Sequence, residues 1–413
     1  MPIDYDPLSP RWRDDPFPVY RQLRDQAPVH RAPGSGMFCI SRHEDVSRVL
    51  KDPETFSSSA MNSVLTDLGR IGPRFAWALL RFLLRTRVNP FEMQRRGSLI
   101  SIDPPRHDAL RSIVNRGFVP RHIAAWEGRA RRLVSDALRE LRPGERFELV
   151  ERLAVPLPVT LIAEMLGVQP ERQRDFKRWS DVIVAVASGP ARGNPAGLMG
   201  ELAELFVYLR EAARERRRRP QDDLVSLLVD PSRPDALDEL DVIQFVVLLL
   251  VAGNETTTNL IGNAVLALLH HEDVLARVAG EPALVPQLVE EVLRYDSPVQ
   301  LVFRQATRAV TLRDVRIPRD GVLALLLGSA NRDERVFPEP DRLDLERDTR
   351  GHLAFGFGPH FCMGAALARL EARVALEALV PELPACKLVA PSPRVESFLV
   401  RGPARVELER IAG

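Results

Sequence analysis

Apolar residues recur at helical spacing over much of the chain. The longest such stretch covers residues 238–271 and predicts one long helix, because apolar positions three and four apart share a helix face. The same period predicts successive helices over 121–166 and 171–219, and another helix that ends at Tyr295. The pattern therefore predicts a mainly α-helical protein.

Alternating patterns mark three other segments. Residues 28–41 alternate on both sides of a Gly-Ser-Gly turn and predict a β-hairpin. Strands are predicted within 299–327, and a second hairpin within 389–408. We expect residues 1–413 to form a single domain, mainly α with a smaller β-rich part built from these three segments.

Three further features concern local structure. Ser41 is placed to cap a short helix over 43–50. Within 61–96, the run RFAWALLRFLLRTR is basic and amphipathic. It could be a lid or an interfacial helix, but amphipathic helices usually face a core, so we favour packing on the body. Residues 189–195 break the stretch 171–219, which suggests a mobile lid over a pocket.

Charge and cysteine content narrow the function classes. The chain has 57 basic and 56 acidic residues, a net charge of +1, which argues against nucleic acid binding. Its three cysteines argue against a disulfide framework and fit a reducing cytoplasm. The N-terminus is polar, and the apolar run 245–252 is far shorter than the roughly 20 residues that span a bilayer. We expect a cytoplasmic protein without a membrane anchor.

A single cysteine lies in a glycine-rich, aromatic segment, FGFGPHFCMG, at 355–364. The next residues are typical of a helix, so Cys362 lies at a loop-to-helix junction. The unpaired N–H groups and partial positive charge of a helix N-terminus favour a thiolate over a thiol. Glycines allow close approach around the sulfur, as a large flat partner such as a haem requires. An unreactive buried cysteine is the alternative.

The same ten residues match the pattern F-x-x-G-x-[HR]-x-C-x-G at every fixed position. The segment thus resembles the haem-binding signature of the cytochrome P450 family. The resemblance implies the cytochrome P450 fold, with a long central helix across the haem, and haem b as the cofactor. It also implies that Cys362 is the axial ligand of the haem iron, with Phe355 and Gly364 in contact with the haem.

A second motif, DPPRHDALR, begins at Asp103. Asp103 can cap a helix whose first turn holds the prolines, and His107 and Arg111 then lie on one helix face. The stretch resembles the family helix that binds a haem propionate, which implies that role for His107 and Arg111. By the same resemblance, Arg304 and His360 also contact propionates.

The middle of the long helix carries VAGNETTTN at 251–259. A helical glycine costs about 1 kcal/mol relative to alanine, and threonine hydroxyls compete for backbone carbonyls. Such a costly sequence often marks a site, although a helix with a polar face would show the same residues. The stretch resembles the family's oxygen-activation motif. That implies Ala252 against the haem, Glu255 as the acid and Thr256 as the alcohol, with Thr257 as the alternative alcohol.

The resemblance extends further along the chain. Glu291 and Arg294 form the family's E-x-x-R pair, which implies a structural role, and 331–349 resembles its turn-rich meander. It also implies a pocket lined almost entirely by apolar residues, namely Phe245, Val246, Leu249, Ala252, Val299, Leu301, Val302, Phe398 and Leu399. Such a lining suggests a terpenoid, steroid, fatty acid or polyketide, but it is common in ligand pockets and discriminates poorly.

The resemblance implies a monooxygenase that inserts one oxygen atom from dioxygen into a lipophilic molecule by hydroxylation or epoxidation. No flavin or nicotinamide module fits in this length, so a ferredoxin and its reductase are expected to supply electrons. That partner would dock on the cysteine side, where Arg369 and Arg373 are either contacts or structural residues. A monomer is expected.

Other functions remain open from the residues alone. A thiol hydrolase would pair Cys362 with a histidine base, but His360 lies only two residues away. A structural zinc site lacks a second nearby cysteine. A non-catalytic haem protein would not need Glu255 and Thr256, and a peroxide-driven peroxygenase usually lacks that pair.

Overall fold

The computed structural model describes residues 3–60, 73–139, 144–187 and 195–411. Its α-helices, in chain order, are α1 Phe17–Gln26, α2 His43–Lys51, α3 Pro73–Thr86, α4 Pro90–Arg96, α5 Arg106–Val114, α6 Pro120–Ala124, α7 Glu127–Leu138, α8 Pro156–Met165, α9 Gln173–Ala187, α10 Pro195–Arg218, α11 Leu224–Leu228, α12 Glu239–His270, α13 Glu272–Gly280, α14 Val285–Tyr295, α15 Leu327–Ala330 and α16 Ala365–Leu379. Its strands are β1 Val29–Arg31, β2 Phe38–Ile40, β3 Phe56–Ser57, β4 Arg146–Glu148, β5 Leu301–Ala306, β6 Val310–Leu312, β7 Val315–Ile317, β8 Val322–Leu326, β9 Cys386–Leu388 and β10 Glu407–Arg410.

The chain folds into two compact units. The first contains Met1–Met61, Ile123–Leu157 and Thr256–Gly413, and the second contains Asn62–His122 and Pro158–Glu255. Helix α12 contributes to both, since the boundary between the units falls within it. The strands belong to the first unit, as the predicted β-rich segments suggest.

The main sheet has the strand order β1-β2-β8-β5-β3. Strands β2 and β8 are parallel, and the other neighbours are antiparallel. The predicted first hairpin is confirmed, with Val29 opposite Ile40. Its turn contains Gly36 at φ 71°, a left-handed conformation that suits glycine. The strands and α2 bury an apolar core that includes Val46, Phe56 and Leu325.

The second predicted hairpin differs from the structure. Its strands lie at Cys386–Leu388 and Glu407–Arg410, outside most of the predicted 389–408 segment, and β10 also pairs with β4. Prolines at 391, 393 and 403 have no N–H to donate, so between the strands the segment forms isolated bridges instead of a ladder. Strand β4 also interrupts the predicted helical stretch 121–166, because β10 pairs with it from the far end of the chain.

Two predicted helix caps are wrong. The N–H of His43 donates to Asp333 Oδ2 at 3.0 Å, whereas Ser41 Oγ donates to the Pro28 carbonyl. A side chain distant in sequence therefore caps α2. Helix α5 begins after the prolines, and Asp103 accepts the His107 N–H with its backbone carbonyl at 3.1 Å.

The long helix is confirmed as α12. Asp238 Oδ1 accepts the N–H groups of Leu240 and Asp241, each at 3.0 Å, and so satisfies donors at its N-terminus. By length and composition this helix could also cross a membrane, with a mean hydropathy of 1.4 over its most apolar window. Ile261 and Leu268 are fully buried within the first unit, as in a core helix.

The basic amphipathic stretch 61–96 is described only from residue 73 onward, and residues 61–72 lie outside the described residues. Helix α3 buries Ala78 and Phe82, and the Phe82 ring packs edge-on against Phe206 of α10, with centroids 5.2 Å apart. This confirms the predicted packing of the helix on the rest of the protein, for the face that carries Ala78 and Phe82. The predicted break at 189–195 lies, apart from Pro195, outside the described residues.

A fully buried ion pair joins α14 to the segment that precedes the cysteine loop. Arg294 donates twice to Glu291, at 2.8 Å each, and both side chains are 0% exposed. Its Nη1 also donates to the carbonyls of Asn331 and Pro340, and Glu291 accepts the Asp344 N–H at 2.9 Å. The pair therefore fixes the predicted meander.

We expect Arg294→Met to lower the free energy of unfolding by about 3 kcal/mol, because among the described residues Glu291 keeps only Arg347, at 3.2 Å, as a cationic partner and the carbonyls of Asn331 and Pro340 lose their donor. Urea denaturation of the holoprotein measures this loss. Arg139→Met is the matched control, because Arg139 forms an exposed pair with Asp136 at the same i,i+3 spacing. The control should lose less than about 1 kcal/mol. Equal losses in the two variants would contradict the interpretation.

Candidate active site

Two glycines set the shape of the cysteine loop. Gly356 and Gly358 have φ values of 70° and 72°, which disfavour other residues. A Cβ atom on Gly358 would also lie 2.7 Å from the Leu50 carbonyl oxygen of α2. The loop therefore packs against α2 more closely than any side chain at position 358 would permit.

Cys362 lies between this loop and α16. Its N–H donates to the Phe355 carbonyl at 2.8 Å, and its partly exposed thiol forms no disulfide. A Cβ on Gly364 would lie 4.0 Å from the Cys362 sulfur. The glycine thus keeps a side chain away from this side of the sulfur, which fits a large planar group. Residues 3–60, 73–139, 144–187 and 195–411 contain no cluster of three potential metal-binding side chains, so a zinc site finds no support there.

The first unit brings His360 close to Arg304. His360 Nε2 forms a hydrogen bond with Ser58 Oγ at 2.9 Å. Ser58 follows β3, in which Ser57 pairs with Gln305 of β5, so it lies next to the strand position of Arg304. Arg304 is 6% exposed, and its Nη1 donates to the Phe303 carbonyl at 2.8 Å. A cationic group and a histidine in this arrangement suit a carboxylate ligand.

The second unit carries the other predicted propionate residues on α5. His107 is fully buried, and its Nδ1 forms a hydrogen bond with Asp108 Oδ1 at 2.8 Å. Arg111, one turn later on the same helix, is partly exposed. The i,i+4 relation predicted from the sequence is therefore present, on a helix that begins at Arg106.

The central part of α12 has one accessible face of small residues. Ala252 is exposed and Gly253 partly exposed, whereas Asn254 is buried and donates to Ser180 Oγ at 3.2 Å. A Cβ on Gly253 would lie 2.8 Å from the Ile162 side chain, so the glycine also permits close packing with α8. This face of α12 can accept a flat ligand without a large side chain in the way.

Three successive threonines of α12 have different environments, because consecutive helical residues point about 100° apart. Thr256 is partly exposed. Thr257 is 2% exposed and its hydroxyl forms a hydrogen bond with Glu371. Thr258 Oγ1 donates to the Ala154 carbonyl at 2.9 Å. Thr257 and Thr258 are buried whereas Thr256 is accessible, which favours Thr256 over Thr257 as the reactive alcohol.

Burial changes the acidity of two carboxyl groups. It raises the pKa of Glu255 to about 7, although this side chain keeps some solvent contact. It raises the pKa of Glu371, which is 1% exposed, to about 8, and the hydrogen bond from Thr257 opposes that rise. Among the described residues, Glu371 Oε1 has no hydrogen-bond partner. Both groups can hold a proton near neutral pH.

The residues predicted to line a pocket differ in accessibility within each unit. In the second unit, Phe245, Val246 and Leu249 are buried on α12. In the first unit, the C-terminal turn lies beside the start of β5. The Gln300 N–H donates to the Leu399 carbonyl at 2.8 Å, and the Phe398 ring lies 6.2 Å from Phe303. Side chains that are partly accessible there are Val299, Val302, Phe398 and Leu399, whereas Leu301 is 2% exposed.

Arg369 and Arg373 are predicted to be either contacts of the electron-donating partner or structural residues. Both form ion pairs within the first unit. Arg369 Nε donates to Glu290 at 2.6 Å, and Arg373 Nη2 donates to Glu127 at 2.7 Å. These contacts join α16 to α14 and α7, which favours a structural role for both arginines.

A cysteine that forms no disulfide and precedes a helix N-terminus, together with buried cationic side chains, fits a haem-thiolate protein. Residues 197–383 match the model of the cytochrome P450 family. Cytochrome P450 107B1 of Saccharopolyspora erythraea is 38% identical over 90% of this chain and 88% of its own. This chain belongs to the cytochrome P450 family.

Solved structures agree with the fold. CYP109Q5 from Chondromyces apiculatus is 40% identical, covers 100% of both chains and has a TM-score of 0.87. CYP109E1 from Bacillus megaterium, solved in complex with corticosterone, is 33% identical over 96% of this chain and 99% of its own, with a TM-score of 0.82. The predicted fold class is confirmed, and the protein is a haem-dependent monooxygenase, an oxidoreductase.

Sequence reasoning missed Ser58 and Glu371. Ser58 has no local motif, and only the pairing of β3 with β5 brings it near Arg304. Glu371 could have been recognised from the sequence, because it lies on the apolar side of α16, four positions after Leu367 and three before Val374. An acidic residue at such a position needs a partner or a raised pKa.

We expect the stability of the folded protein to fall as pH rises from the ordinary carboxyl pKa of 4.5 to about 8, because the folded state holds the Glu371 proton in that window and the unfolded state does not. Glu371→Gln should flatten this part of the profile and be more stable than the parent above pH 8. Urea denaturation across pH measures the difference. Glu54→Gln, at an exposed position, should follow the parent. Parallel profiles for Glu371→Gln and the parent would contradict the assignment.

Proposed function

We propose that this cytochrome P450 inserts one oxygen atom from dioxygen into a steroid-sized lipophilic molecule, with Cys362 as the haem ligand. The observation that carries the ligand assignment is the position of Cys362, which forms no disulfide and lies just before the N-terminus of α16. The haem, when bound, supplies the oxygen chemistry, which a thiolate ligand favours by donating electron density. The helix N-terminus stabilises that thiolate.

The resemblance to the family and the nature of the side chains support four residues as ligands of haem propionates. Arg304 and His360 are two of them, with Ser58 fixing the His360 ring. His107 and Arg111 on α5 are the other two. Buried arginine and histidine suit this role, because a desolvated carboxylate needs charged or N–H partners.

Proton supply falls to Glu255 and Thr256. The Glu255 carboxyl has a pKa near 7 and partial solvent contact, so it can take up and release a proton at neutral pH. The Thr256 hydroxyl, the next residue of α12, can accept that proton and donate toward the dioxygen substrate. This acid and alcohol favour reaction with dioxygen over a peroxide-driven reaction.

Electrons would come from a ferredoxin and its reductase. The support is membership of the cytochrome P450 family, since these 413 residues align over their whole length with the cytochrome P450 CYP109Q5. Because Arg369 and Arg373 form internal ion pairs, we do not place the docking contacts on them. We propose that the protein works as a cytoplasmic monomer in a single cytochrome P450 domain.

The steroid class follows from a relative and from the lining. CYP109E1 was solved with corticosterone, at 33% identity to this chain. The partly accessible residues Val299, Val302 and Phe398 are apolar, as the pocket of a steroid requires. Terpenoids, fatty acids and polyketides are the other classes that an apolar lining accepts.

We expect Thr256→Ala to bind haem normally but to divert at least about half of the reducing equivalents to hydrogen peroxide, because the proton donor is removed. The ratio of peroxide to product during turnover measures this. Thr258→Val is the matched control and should leave coupling unchanged, since the Thr258 hydroxyl is buried and donates to the Ala154 carbonyl. Equal coupling in Thr256→Ala and the parent would refute the relay.

Cys362→Ala should lose the far-shifted Soret band of the reduced carbon monoxide complex.

We expect corticosterone or a related steroid to shift the Soret band of the ferric protein from low to high spin, because a bound substrate displaces water from the iron. A titration against steroids, terpenoids, fatty acids and macrolides measures the shift for each class. Val302→Phe should weaken the steroid response by roughly tenfold or more, because it adds volume at a partly accessible pocket position. A response to another class alone would exclude steroids while leaving the oxygenase chemistry intact.

A further inference from the structure

Helix α3 presents three large apolar side chains to solvent. Trp77 is 62% exposed, Leu80 45% and Leu84 70%. Their positions, at intervals of three and four, put them on one face of the helix. Phe91, in the first turn of α4, is 81% exposed. Such a concentration of exposed apolar side chains usually marks an interaction site.

This exposed face is separate from the one that holds α3 in place. Ala78 and Phe82 are buried, and Phe82 packs against Phe206 of α10. The Thr86 carbonyl at the end of α3 accepts a hydrogen bond from Arg210 of the same helix α10. The second unit therefore already anchors α3, and Trp77, Leu80 and Leu84 are not needed for that packing.

The charged residues of α3 and of its immediate flanks are all basic. Residues 69–91 contain five arginines and no aspartate or glutamate. Arg81 is exposed and follows Trp77 by one helical turn. The Arg85 side chain is 52% exposed, and its guanidinium lies 3.7 Å from the Glu204 carboxylate, a long distance for an ion pair. Arg87, just beyond the helix, is also exposed. The surface thus joins an apolar stripe to a cationic flank.

We propose that this α3 face, formed by Trp77, Leu80, Arg81 and Leu84, binds the surface of an anionic lipid bilayer. Tryptophan and leucine on one helix face, flanked by arginine, are the composition of helices that lie in the interface of a membrane. The arginines attract anionic headgroups, while the apolar side chains enter the boundary with the acyl chains. The protein would lie on the membrane and not span it.

The charge pattern argues against other occupants. A second copy of this chain would place arginines against arginines, which repel one another. An acidic protein surface would match the arginines. Its charge alone, however, would not remove the exposed side chains of Trp77, Leu84 and Phe91 from water. An anionic bilayer satisfies both the charged and the apolar part of the face. The inference does not depend on the oxygenation chemistry.

The test is co-sedimentation of the holoprotein with vesicles. We expect binding to phosphatidylcholine vesicles that contain phosphatidylglycerol, weaker binding to phosphatidylcholine alone, and partial release at high salt, since salt screens the arginines. Trp77→Gln with Leu84→Gln should lower the partition constant about tenfold or more, because both side chains leave the interface. Arg81→Glu should lower it roughly fivefold or more.

Two control variants isolate the face. Arg350→Glu changes the net charge as much as Arg81→Glu does, at a position whose side chain is 90% exposed, and Ile411→Gln removes an exposed apolar residue elsewhere. Both should bind vesicles like the parent. An unchanged absorption spectrum of the holoprotein shows that each variant is folded. Failure of the parent to sediment with anionic vesicles, or equal sedimentation of the α3 variants and the parent, would overturn the proposal. Self-association that the α3 variants abolish, without vesicle binding, would assign the face to a second copy instead.

Discussion

The buried ion pair between Glu291 and Arg294 is the constraint on which the cysteine side of the first unit depends. Burying two charges costs several kcal/mol for each ion, and the cost is offset only when every donor has an acceptor. Arg294 meets this condition with Glu291 and with the Asn331 carbonyl, among others. Asn331 in turn accepts the Leu353 N–H through its side chain, at 2.6 Å. The ion pair thus fixes the chain two residues before the loop of Cys362 begins.

Within that loop, backbone conformation replaces side-chain packing. Gly356 and Gly358 adopt left-handed conformations, and Gly358 also lies against the backbone of α2. These constraints fix the entry to α16, and Cys362 is placed at its N-terminus. The position of the sulfur therefore follows from an ion pair on one side and two glycine conformations on the other. Neither requires a contact from the cysteine side chain itself.

Local sequence pattern predicts correctly the elements that depend on neighbouring residues, such as the helix α12 and the β1–β2 hairpin. It fails where a partner distant in sequence decides. Asp333 caps α2 in place of Ser41, and β10 draws residues 146–148 into a strand. For the site, the motif residues could be named from the sequence alone. Ser58 could not, because its place depends on strand pairing, and Glu371 was overlooked although a carboxyl on an apolar helix face was visible.

Glu255 and Glu371 show why a raised pKa alone does not identify a proton donor. Burial raises the pKa of both, to about 7 and about 8. Glu371 is 1% exposed and bonded to Thr257, so its proton has no direct exchange with solvent through its own surface. Glu255 keeps solvent contact and precedes Thr256, whose hydroxyl is partly exposed. A relay must reload after each turnover, so solvent access, and not the larger pKa shift, favours Glu255 for the proposed role.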